Sequence, residues 1–396
     1  MNPVKKKKHS RSLFYRISAW LHLWLGLFTG IIMVIVCLTG CIWVFQEEIL
    51  NALHPENKVV QHAKPVLTPS QIKLQAKKLY PGKNVSYATY QQGKVIEVGL
   101  GKGRKNDIIL KINPYSGKLV STTEYKEGEV DFFRFILNGH RFLWLPYKIG
   151  RPIVNYSTLI FVSLMITGMV LWWPKKWTKS TREKSFKIKW GASFKRVNYD
   201  FHNVLGFYSL FVILAISLTG MVYGIEWYSK GVYWVTSAGE HLVDYKEFHS
   251  DSLQVNKHYT ADQAMDLAWN KVIEKHPDAQ GFYYGYPDTA DAKSVINMYI
   301  YPSVGLYYDN QGYSFDRHTL KRFMNDPVYD VKFADAPFSA KLRRMNYDIH
   351  VGSILGLPGK ILAFCASLIG ASLPVTGFII WWGKRKKKPK TKKVYN

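Results

Sequence analysis

The sequence has little cysteine and few acidic residues, and both shortages restrict what the protein can be. Its 396 residues contain only three cysteines, Cys37, Cys41 and Cys365, and each lies inside an apolar run. Three such thiols build neither a disulfide framework nor a thiolate zinc site, so we interpret them as small apolar residues of helices. Asp and Glu number 28 against 54 Lys and Arg, a formal net charge of +26. Such a charge also occurs in nucleic-acid binders, so its distribution decides its meaning.

The positive charge is concentrated in three short stretches. Residues 1–20, 174–198 and 383–396 together carry +22 of the +26, and the rest of the chain is nearly balanced. Long apolar runs lie between these stretches, and basic residues beside apolar runs mark the cytoplasmic side of a membrane. We therefore expect a protein of the lipid bilayer and no nucleic-acid partner.

Four apolar runs are long enough to cross a bilayer core, which takes about 20 helical residues. The runs are residues 20–45, 153–173, 201–225 and 361–382. We interpret the first as a retained helix and not a signal peptide, because no small-residue cleavage site follows it. If the four helices alternate in direction, all three basic stretches lie on one side. Both termini are then predicted to be cytoplasmic, and the two long connecting segments to be exported.

Both exported segments show the same order of patterns. A stretch with helical periodicity, 70–80 in the first and 261–275 in the second, precedes several short strand-like stretches. The strand-like stretches are 85–90, 94–100 and 108–112, then 281–286, 294–301 and 305–309. Each segment is therefore predicted to be a small α+β module. Tyrosine-rich stretches in the second module are interpreted as strand aromatics that pack a core, with a docking surface as the alternative.

One glycine-rich run needs separate treatment because it resembles a nucleotide-binding pattern. Gly99, Gly101 and Gly103 alternate with other residues. No helix follows the run, so it is not a dinucleotide fingerprint. We predict a glycine-rich hairpin turn there.

An internal duplication relates four histidines. His22 and His202 each lie 18 residues before the glycine of a Thr-Gly pair in the same helix. His140 and His350 precede the second and fourth runs and lie 28 and 27 residues before such a glycine. The chain is thus predicted to be helix–module–helix twice, as parallel repeats about an axis along the membrane normal. This symmetry gives the first two histidines one depth near the cytoplasmic face and the other two the opposite depth.

Two histidines at one depth on facing helices suit the two axial positions of a haem iron. Two such pairs would provide an electron path across the membrane, with two haem groups expected. The alternatives are a metal-ion site, although no Asp, Glu or Cys accompanies either pair within the spans, and histidines that only hydrogen-bond in packing. The Thr-Gly pairs would let a macrocycle or another helix approach closely, and ordinary helix packing is their simpler explanation.

An arginine lies six residues before each of these histidines, which is about 9 Å along a helix. The four are Arg16, Arg134, Arg196 and Arg344. This position suits an arginine that pairs with a haem propionate, and the alternative is an arginine snorkelling where a helix enters the membrane. Asp200 and Asp348, two residues before a histidine, are predicted to be helix-start caps.

These features resemble the PepSY-associated transmembrane family, the iron-regulated membrane proteins that include siderophore-iron reductases. The resemblance rests on the four spans, His-x-x-x-Gly in helices 1 and 3, Trp-Trp after helices 2 and 4, and two exported modules. The turn from Asn113 to Gly117 is similar to the Asp-Pro-x-Thr-Gly of PepSY modules, and the second module lacks a clear copy of it. The resemblance implies haem b, a bacterial inner membrane, and reduction of ferric siderophores in the periplasm.

The predicted fold class is an α-helical membrane protein with four transmembrane helices as two parallel helix–module–helix repeats and two small periplasmic α+β, PepSY-like modules. The predicted segments are a basic cytoplasmic N-terminus (1–19), transmembrane helix 1 (20–46), module 1 (47–139), an interfacial segment with transmembrane helix 2 (140–173), a basic cytoplasmic loop (174–200), transmembrane helix 3 (201–226), module 2 (227–349), an interfacial segment with transmembrane helix 4 (350–382) and a basic cytoplasmic tail (383–396).

The predicted function is a di-haem b electron conduit that reduces a ferric siderophore, or another ferric chelate, during iron acquisition. His22 with His202 and His140 with His350 are the predicted axial ligands, and no substrate-contacting residue is assigned. Because the cytoplasmic loop carries no nucleotide or flavin motif, we expect a separate cytoplasmic or quinone electron donor. The alternatives are a membrane-anchored binding or inhibitory module without redox activity, and a siderophore or iron permease component.

Overall fold

The computed structural model describes residues 11–385 except 63, 103–104, 127, 245, 256–258 and 325, without side chains for 102 and 105–107. The chain divides into two compact units. A helical unit comprises Met1–Phe45, Phe132–Glu226 and His350–Asn396, and a sheet unit comprises Gln46–Asp131 and Trp227–Ile349. Residues 1–10 and 386–396, which belong to the two basic termini predicted to be cytoplasmic, lie outside the described residues.

The helices alternate with two groups of strands along the chain. The helices are α1 (Leu13–Val44), α2 (Gln46–Leu53), α3 (Pro69–Leu79), α4 (Phe132–Phe142), α5 (Tyr147–Trp172), α6 (Lys179–Phe186), α7 (Phe194–Asp200), α8 (Gly206–Val222), α9 (Glu226–Thr236), α10 (Ala261–Ile273), α11 (Phe338–Val351) and α12 (Gly356–Arg385). The strands are β1 (Val85–Gln91), β2 (Ile96–Lys102), β3 (Lys105–Ile112), β4 (Leu119–Glu124), β5 (Gly281–Gly285), β6 (Val295–Tyr301), β7 (Gln311–Asp316) and β8 (Arg322–Phe323).

Four helical stretches in the described residues are long and apolar enough to cross a membrane. They contain α1, α5, the continuous run Phe194–Val222 and the run Ser353–Arg385. All four predicted spans are thus helical, but α1 and the third run begin seven residues before the predicted starts. Hydropathy marks the lipid core, whereas a helix continues through the interface. Ser12 begins α1 by accepting a hydrogen bond from the Tyr15 N–H.

The four long helices form a bundle in the helical unit. α1 packs against α5 and α12, and α8 packs against the same two helices, so α1 and α8 lie on a diagonal. Met33, Phe161 and Ile213 are among the residues buried between them. Outward side chains remain apolar, with Phe28 74% and Ile31 71% exposed. An apolar exterior of this kind suits contact with lipid.

The sheet unit contains one antiparallel sheet of eight strands in the order β4-β3-β2-β1-β5-β6-β7-β8. β1 of the first exported segment pairs with β5 of the second, from Tyr87 opposite Gly285 to Gln91 opposite Gly281. The two predicted modules are therefore halves of a single sheet. Strand periodicity identifies the strands, but it carries no information about which exposed edges pair.

One face of the sheet is covered by α3 and α10, which lie close to the two predicted helical stretches. Each begins with a capping box, formed by Thr68 with Gln71 and by Thr260 with Gln263. The side chain of each threonine accepts from the backbone N–H three residues on, and the glutamine side chain returns a bond to the threonine N–H. The core between helices and sheet includes Tyr284, which is fully buried.

The second half contains the turn that was predicted only for the first. The side chains of Asn113 and Asp316 each accept two backbone N–H groups, from the residues two and three positions ahead. Gly117 closes the first turn with φ +72° and Leu320 closes the second with φ +58°. The prediction that module 2 lacks a copy is wrong, because a leucine in the left-handed conformation replaces the glycine. The third strand of this half is accordingly β7, and the strand predicted at 305–309 is absent from the described residues.

Gly99 and Gly101 lie inside β2, so the predicted hairpin turn is wrong for these two residues. Gly99 lies opposite Tyr87 of β1. A Cβ atom at Gly99 would overlap the Tyr87 ring, so glycine provides the space in which this ring lies. Gly103 falls outside the described residues.

Candidate functional site

The structure brings the four predicted histidines together as two pairs. The ring centroids of His22 and His202 are 6.2 Å apart, and those of His140 and His350 are 6.1 Å apart. Two metal–imidazole bonds of about 2 Å each, plus the distance from each bonding nitrogen to its ring centre, add up to about 6 Å. Both pairs therefore have the spacing of two imidazoles that share one metal ion.

The ring of His22 is held by three neighbours on α5. Its Nδ1 atom lies 3.1 Å from the Leu164 carbonyl oxygen and 3.1 Å from Thr167 Oγ1. The Thr167 hydroxyl donates its own proton to carbonyls of α5, so towards the histidine it acts as an acceptor. Because both partners accept, Nδ1 carries the proton and Nε2 keeps its lone pair. A Cβ atom at Gly168 would lie 3.0 Å from His22 Cε1, so this glycine leaves room for the ring.

The other three histidines have the same arrangement. Each Nδ1 lies 2.9 to 3.1 Å from a carbonyl oxygen and 3.0 to 3.4 Å from a threonine Oγ1, beside a glycine. The carbonyl, threonine and glycine are Leu373, Thr376 and Gly377 for His202; Val36, Thr39 and Gly40 for His140; and Ile216, Thr219 and Gly220 for His350. We call each such set of three residues a histidine cradle.

The histidine cradles explain why each Thr-Gly pair lies far from the histidine of its own helix. The pair on α5 holds His22 of α1, and the pair on α1 holds His140 of α4. Helix packing is therefore an incomplete explanation of these pairs, because each also binds an imidazole. The threonines are the functional residues that the sequence reasoning missed. The signal was available, since every one of the four spans contains a Thr-Gly pair, and the first contains a second one at Thr29.

His202 differs from His22 in its backbone. It lies in a five-residue π-helix, Phe201–Leu205, between α7 and α8. Wider turns of this type occur mostly as single interruptions of α-helices, often at functional sites. Here the π-helix carries the imidazole itself, whereas His22 lies within the regular helix α1.

A family model supplies the identification. The model of the PepSY-associated TM region matches residues 19–384, which include both exported segments and all four spans except the first residues of α1 and the last residue of α12. The chain belongs to this family. The resemblance inferred from the sequence is thus confirmed, and the protein is a multi-pass membrane protein. No curated protein matches the chain significantly.

The donor set of this PepSY-associated TM protein fits haem iron better than a bare cation. In the described part of the chain, no group of three or more His, Cys, Asp or Glu side chains could hold a metal ion. Zinc and similar ions take three or four protein ligands, whereas haem iron receives four nitrogens from the macrocycle and needs two from the protein. Each pair supplies two imidazoles whose Nδ1 atoms are anchored and whose Nε2 atoms keep their lone pairs.

The four arginines have unlike surroundings. Arg344 is 3% exposed, and its guanidinium group donates to four backbone carbonyls of the sheet unit. Those carbonyls belong to Tyr308, Asn310, Val328 and Val331. These bonds favour a structural role for Arg344 within the sheet unit over the predicted propionate role. Arg196 pairs with Asp200 at 2.7 Å, while Arg16 and Arg134 are exposed.

The two aspartates that precede histidines are fully buried, and neither side chain caps the start of a helix. Asp200 ends α7, accepts from the Arg196 side chain and also accepts from the Lys189 N–H at 3.1 Å. Asp348 lies late in α11 and accepts from the Tyr307 N–H at 3.1 Å. The predicted helix-start caps are therefore wrong, and both carboxylates instead fasten neighbouring chain segments.

Proposed function

We propose that the protein is a di-haem b oxidoreductase of a bacterial inner membrane, which passes electrons to a ferric siderophore or another ferric chelate in the periplasm during iron uptake. The observation that carries this proposal is that the four histidines form two pairs, with ring centroids 6.2 and 6.1 Å apart. When bound, each haem would supply a one-electron carrier.

The four histidine cradles support this proposal through what they do to the histidines. A backbone carbonyl and a threonine oxygen keep the proton on Nδ1, so Nε2 is the atom that would meet iron. Two imidazoles would hold each haem iron between them and would leave no site on the iron open for oxygen or substrate. Such a site favours electron transfer over ligand activation.

The two halves of the chain hold their histidines in the same way, and this likeness supports the repeat organisation. In the first half, α1 holds the histidine of α4 and α5 holds the histidine of α1. In the second half, Thr219 of α8 holds His350, and Thr376 of α12 holds His202. We infer that the halves are parallel repeats, which would put His22 and His202 at the cytoplasmic side of the membrane and the other pair at the periplasmic side.

The charge distribution supports the direction of electron flow. The three basic stretches, which carry +22 of the +26, would keep both termini in the cytoplasm and export the sheet unit. A ferric chelate holds iron through hard oxygen ligands, which bind ferrous iron more weakly, so reduction would release the metal. The donor would be a reduced quinone or a separate cytoplasmic reductase.

A visible absorption spectrum of the purified protein, oxidised and then reduced, tests the cofactor, and addition of a ferric chelate to the reduced protein tests the activity. We expect two haem groups per chain and reoxidation on addition of the chelate. A colourless protein, expressed with a full haem supply, would contradict the proposal and leave the binding-module and permease alternatives. A gallium(III) chelate, which accepts no electron, is the matched control and should leave the reduced spectrum unchanged.

A further inference from the structure

The sheet unit contains an open cleft on the face of the sheet that α3 and α10 leave uncovered. The cleft has a volume of about 330 Å³. Helix α2 forms one wall with Glu47 and Asn51, and β5 and the end of β6 form the other with Tyr283 and Tyr301. Its volume lies at the lower end of the range for small-molecule sites, about 300–1,000 Å³. All its lining residues belong to the sheet unit.

The floor of the cleft is a row of polar side chains that crosses four strands. Lys111 of β3 lies opposite Glu97 of β2, and Glu97 lies opposite Thr89 of β1. Thr89 in turn lies opposite Tyr283 of β5, across the junction between the two halves of the sheet. Directly opposed residues point to the same face, so the row presents an ammonium, a carboxylate, a hydroxyl and a phenol side by side.

The tyrosine wall offers neutral hydroxyl groups. Burial raises the pKa of Tyr283, raises the pKa of Tyr301 to about 12 and raises that of Tyr307 further. Tyr307 donates a hydrogen bond to Glu47 Oε1 at 3.0 Å. These phenols therefore stay protonated at neutral pH in the absence of a metal ion, so they can donate hydrogen bonds to a ligand and stack with it.

The wall on the α2 side holds an acceptor that lacks a partner. Asn57 lines the cleft, and its Oδ1 atom is buried without a hydrogen bond to any described residue. A buried polar atom in this state is unfavourable, and a donor on a bound molecule that reached it would relieve that cost. The wall thus points to a ligand with N–H or O–H groups.

The charges around the cleft balance. Two carboxylates, Glu47 and Glu97, stand against two ammonium groups, Lys94 and Lys111. A lining without net charge gives no compensation for desolvating a trianionic molecule. A compact molecule of low net charge with amide or hydroxamate groups matches the hydroxyls, amides and paired charges of the lining.

We propose that this cleft binds the ferric chelate, and that its balanced lining selects chelates of low net charge, such as ferric tris-hydroxamates, over trianionic tris-catecholates. The proposal rests on the proposed function for its substrate class. It adds a binding site, formed jointly by both halves of the sheet, to the electron path. The tyrosine-rich stretches of the second half thus contribute a docking surface as well as core packing.

Calorimetric titration of the full-length protein in nanodiscs tests the cleft without any electron transfer. The probes are gallium(III) complexes of a linear tris-hydroxamate and of a tris-catecholate, because gallium(III) matches the charge of ferric iron and is not reduced. We expect the tris-hydroxamate complex to bind more tightly. Glu97→Lys should reduce this preference about tenfold, because it replaces a negative charge on the floor with a positive one.

Glu274→Lys is the matched control, since Glu274 is exposed at the end of α10 on the opposite side of the sheet. It should leave the preference unchanged. Tyr283→Phe, which keeps the ring and its packing, should weaken tris-hydroxamate binding by removing one hydroxyl. Absence of binding, an equal affinity for both complexes, or a Glu97→Lys variant that behaves like the wild type would overturn the proposal.

The same titration separates this proposal from the function on which it rests. If the gallium complex does not bind while the ferric complex still reoxidises the reduced protein, the cleft proposal fails and the reductase stands. If the gallium complex binds in the cleft while the ferric complex leaves the reduced protein unchanged, the reductase fails and the cleft remains a binding site.

Discussion

Each cradled histidine depends on a threonine oxygen and a backbone carbonyl for the tautomer it adopts. The threonine hydroxyl donates to its own helix, as Thr39 does to Ile35 and Val36, and so can only accept from the imidazole. The carbonyl that accepts from Nδ1, Val36 O, is one of the two that receive the threonine proton. The helix backbone and one side chain thus fix the proton position without any carboxylate.

Single histidine substitutions should remove half the haem. His22→Ala or His202→Ala should lower the haem content from two to about one per chain, because the other pair is anchored independently. His140→Ala or His350→Ala should do the same. A pyridine haemochrome assay measures the content, and His241→Ala, at an exposed position outside both pairs, should keep both haems. A paired histidine whose loss leaves the content at two would refute that pairing.

The threonine in a cradle should tune the haem and not simply hold the helix. Thr39→Val keeps the side-chain shape but removes the acceptor beside His140, and loss of such a partner typically weakens a metal site about tenfold or more. We expect weaker retention and a raised midpoint potential for one haem, because a less basic imidazole stabilises ferric iron less. Redox titration followed at the haem bands measures this. Thr29→Val is the control, since Thr29 is buried in α1 and bonds to the Leu25 carbonyl; equal potentials in both variants would assign Thr39 to packing.

Arg344 should matter for stability and not for haem. Arg344→Ala would leave buried carbonyls unsatisfied, at a cost of about 1–3 kcal/mol or more. We expect a lower melting temperature with the haem content unchanged, measured by thermal unfolding and by the haem spectrum of the same sample. Arg343→Ala removes a neighbouring guanidinium that donates to Ser229 and serves as the control. Loss of haem from the folded Arg344 variant would return this residue to the propionate role.

At the scale of helices and strands, the sequence could predict the features that depend on periodicity and on the internal duplication. The four spans follow from apolar length, and the four histidines follow from the repeated spacing to Thr-Gly. The cradle that holds each histidine could not be predicted, because sequence spacing within one helix says nothing about how that helix is registered against its neighbour. The pairing of β1 with β5 and the turn closed by Leu320 escaped prediction for similar reasons. The sequence of an edge strand shows no pattern that identifies its partner strand. A leucine gives no sign of a left-handed backbone conformation, whereas a glycine at the same position would suggest one.

Substitution of a cradle glycine separates the stability of the helix from the retention of haem. Gly220→Ala should favour the helix by about 0.5–1 kcal/mol, yet the new Cβ atom would lie 3.0 Å from His350 Cε1. We therefore expect weaker retention of one haem in a protein whose thermal stability is equal or higher. Gly231→Ala on α9, where a Cβ atom would meet nothing within 4 Å, is the matched control and should keep both haems. Full retention in the Gly220 variant would mean that the ring can shift without loss.

For the whole molecule, the decisive property is that the excess positive charge and the large β-sheet lie in different parts of the chain. The three stretches that carry +22 flank the spans, and the eight-stranded sheet is built from the two long segments between them. If the sheet unit is exported, as proposed above, a polar chelate would meet its folded surface in the periplasm. A quinone in the lipid, or a donor with an acidic surface, would approach the basic side.

This asymmetry predicts a direction that sealed vesicles of known orientation can measure. A ferric chelate added on the side of the sheet unit should reoxidise chemically reduced protein, and the same chelate on the basic side should not. His202→Ala would break the pair nearer the donor, so sustained turnover from a donor on the basic side should stop. The pre-reduced His140/His350 pair should still deliver a single stoichiometric reoxidation, because its own cradles are intact. Normal turnover by the His202 variant would show that the two pairs do not act in series, and the conduit would then have to be abandoned.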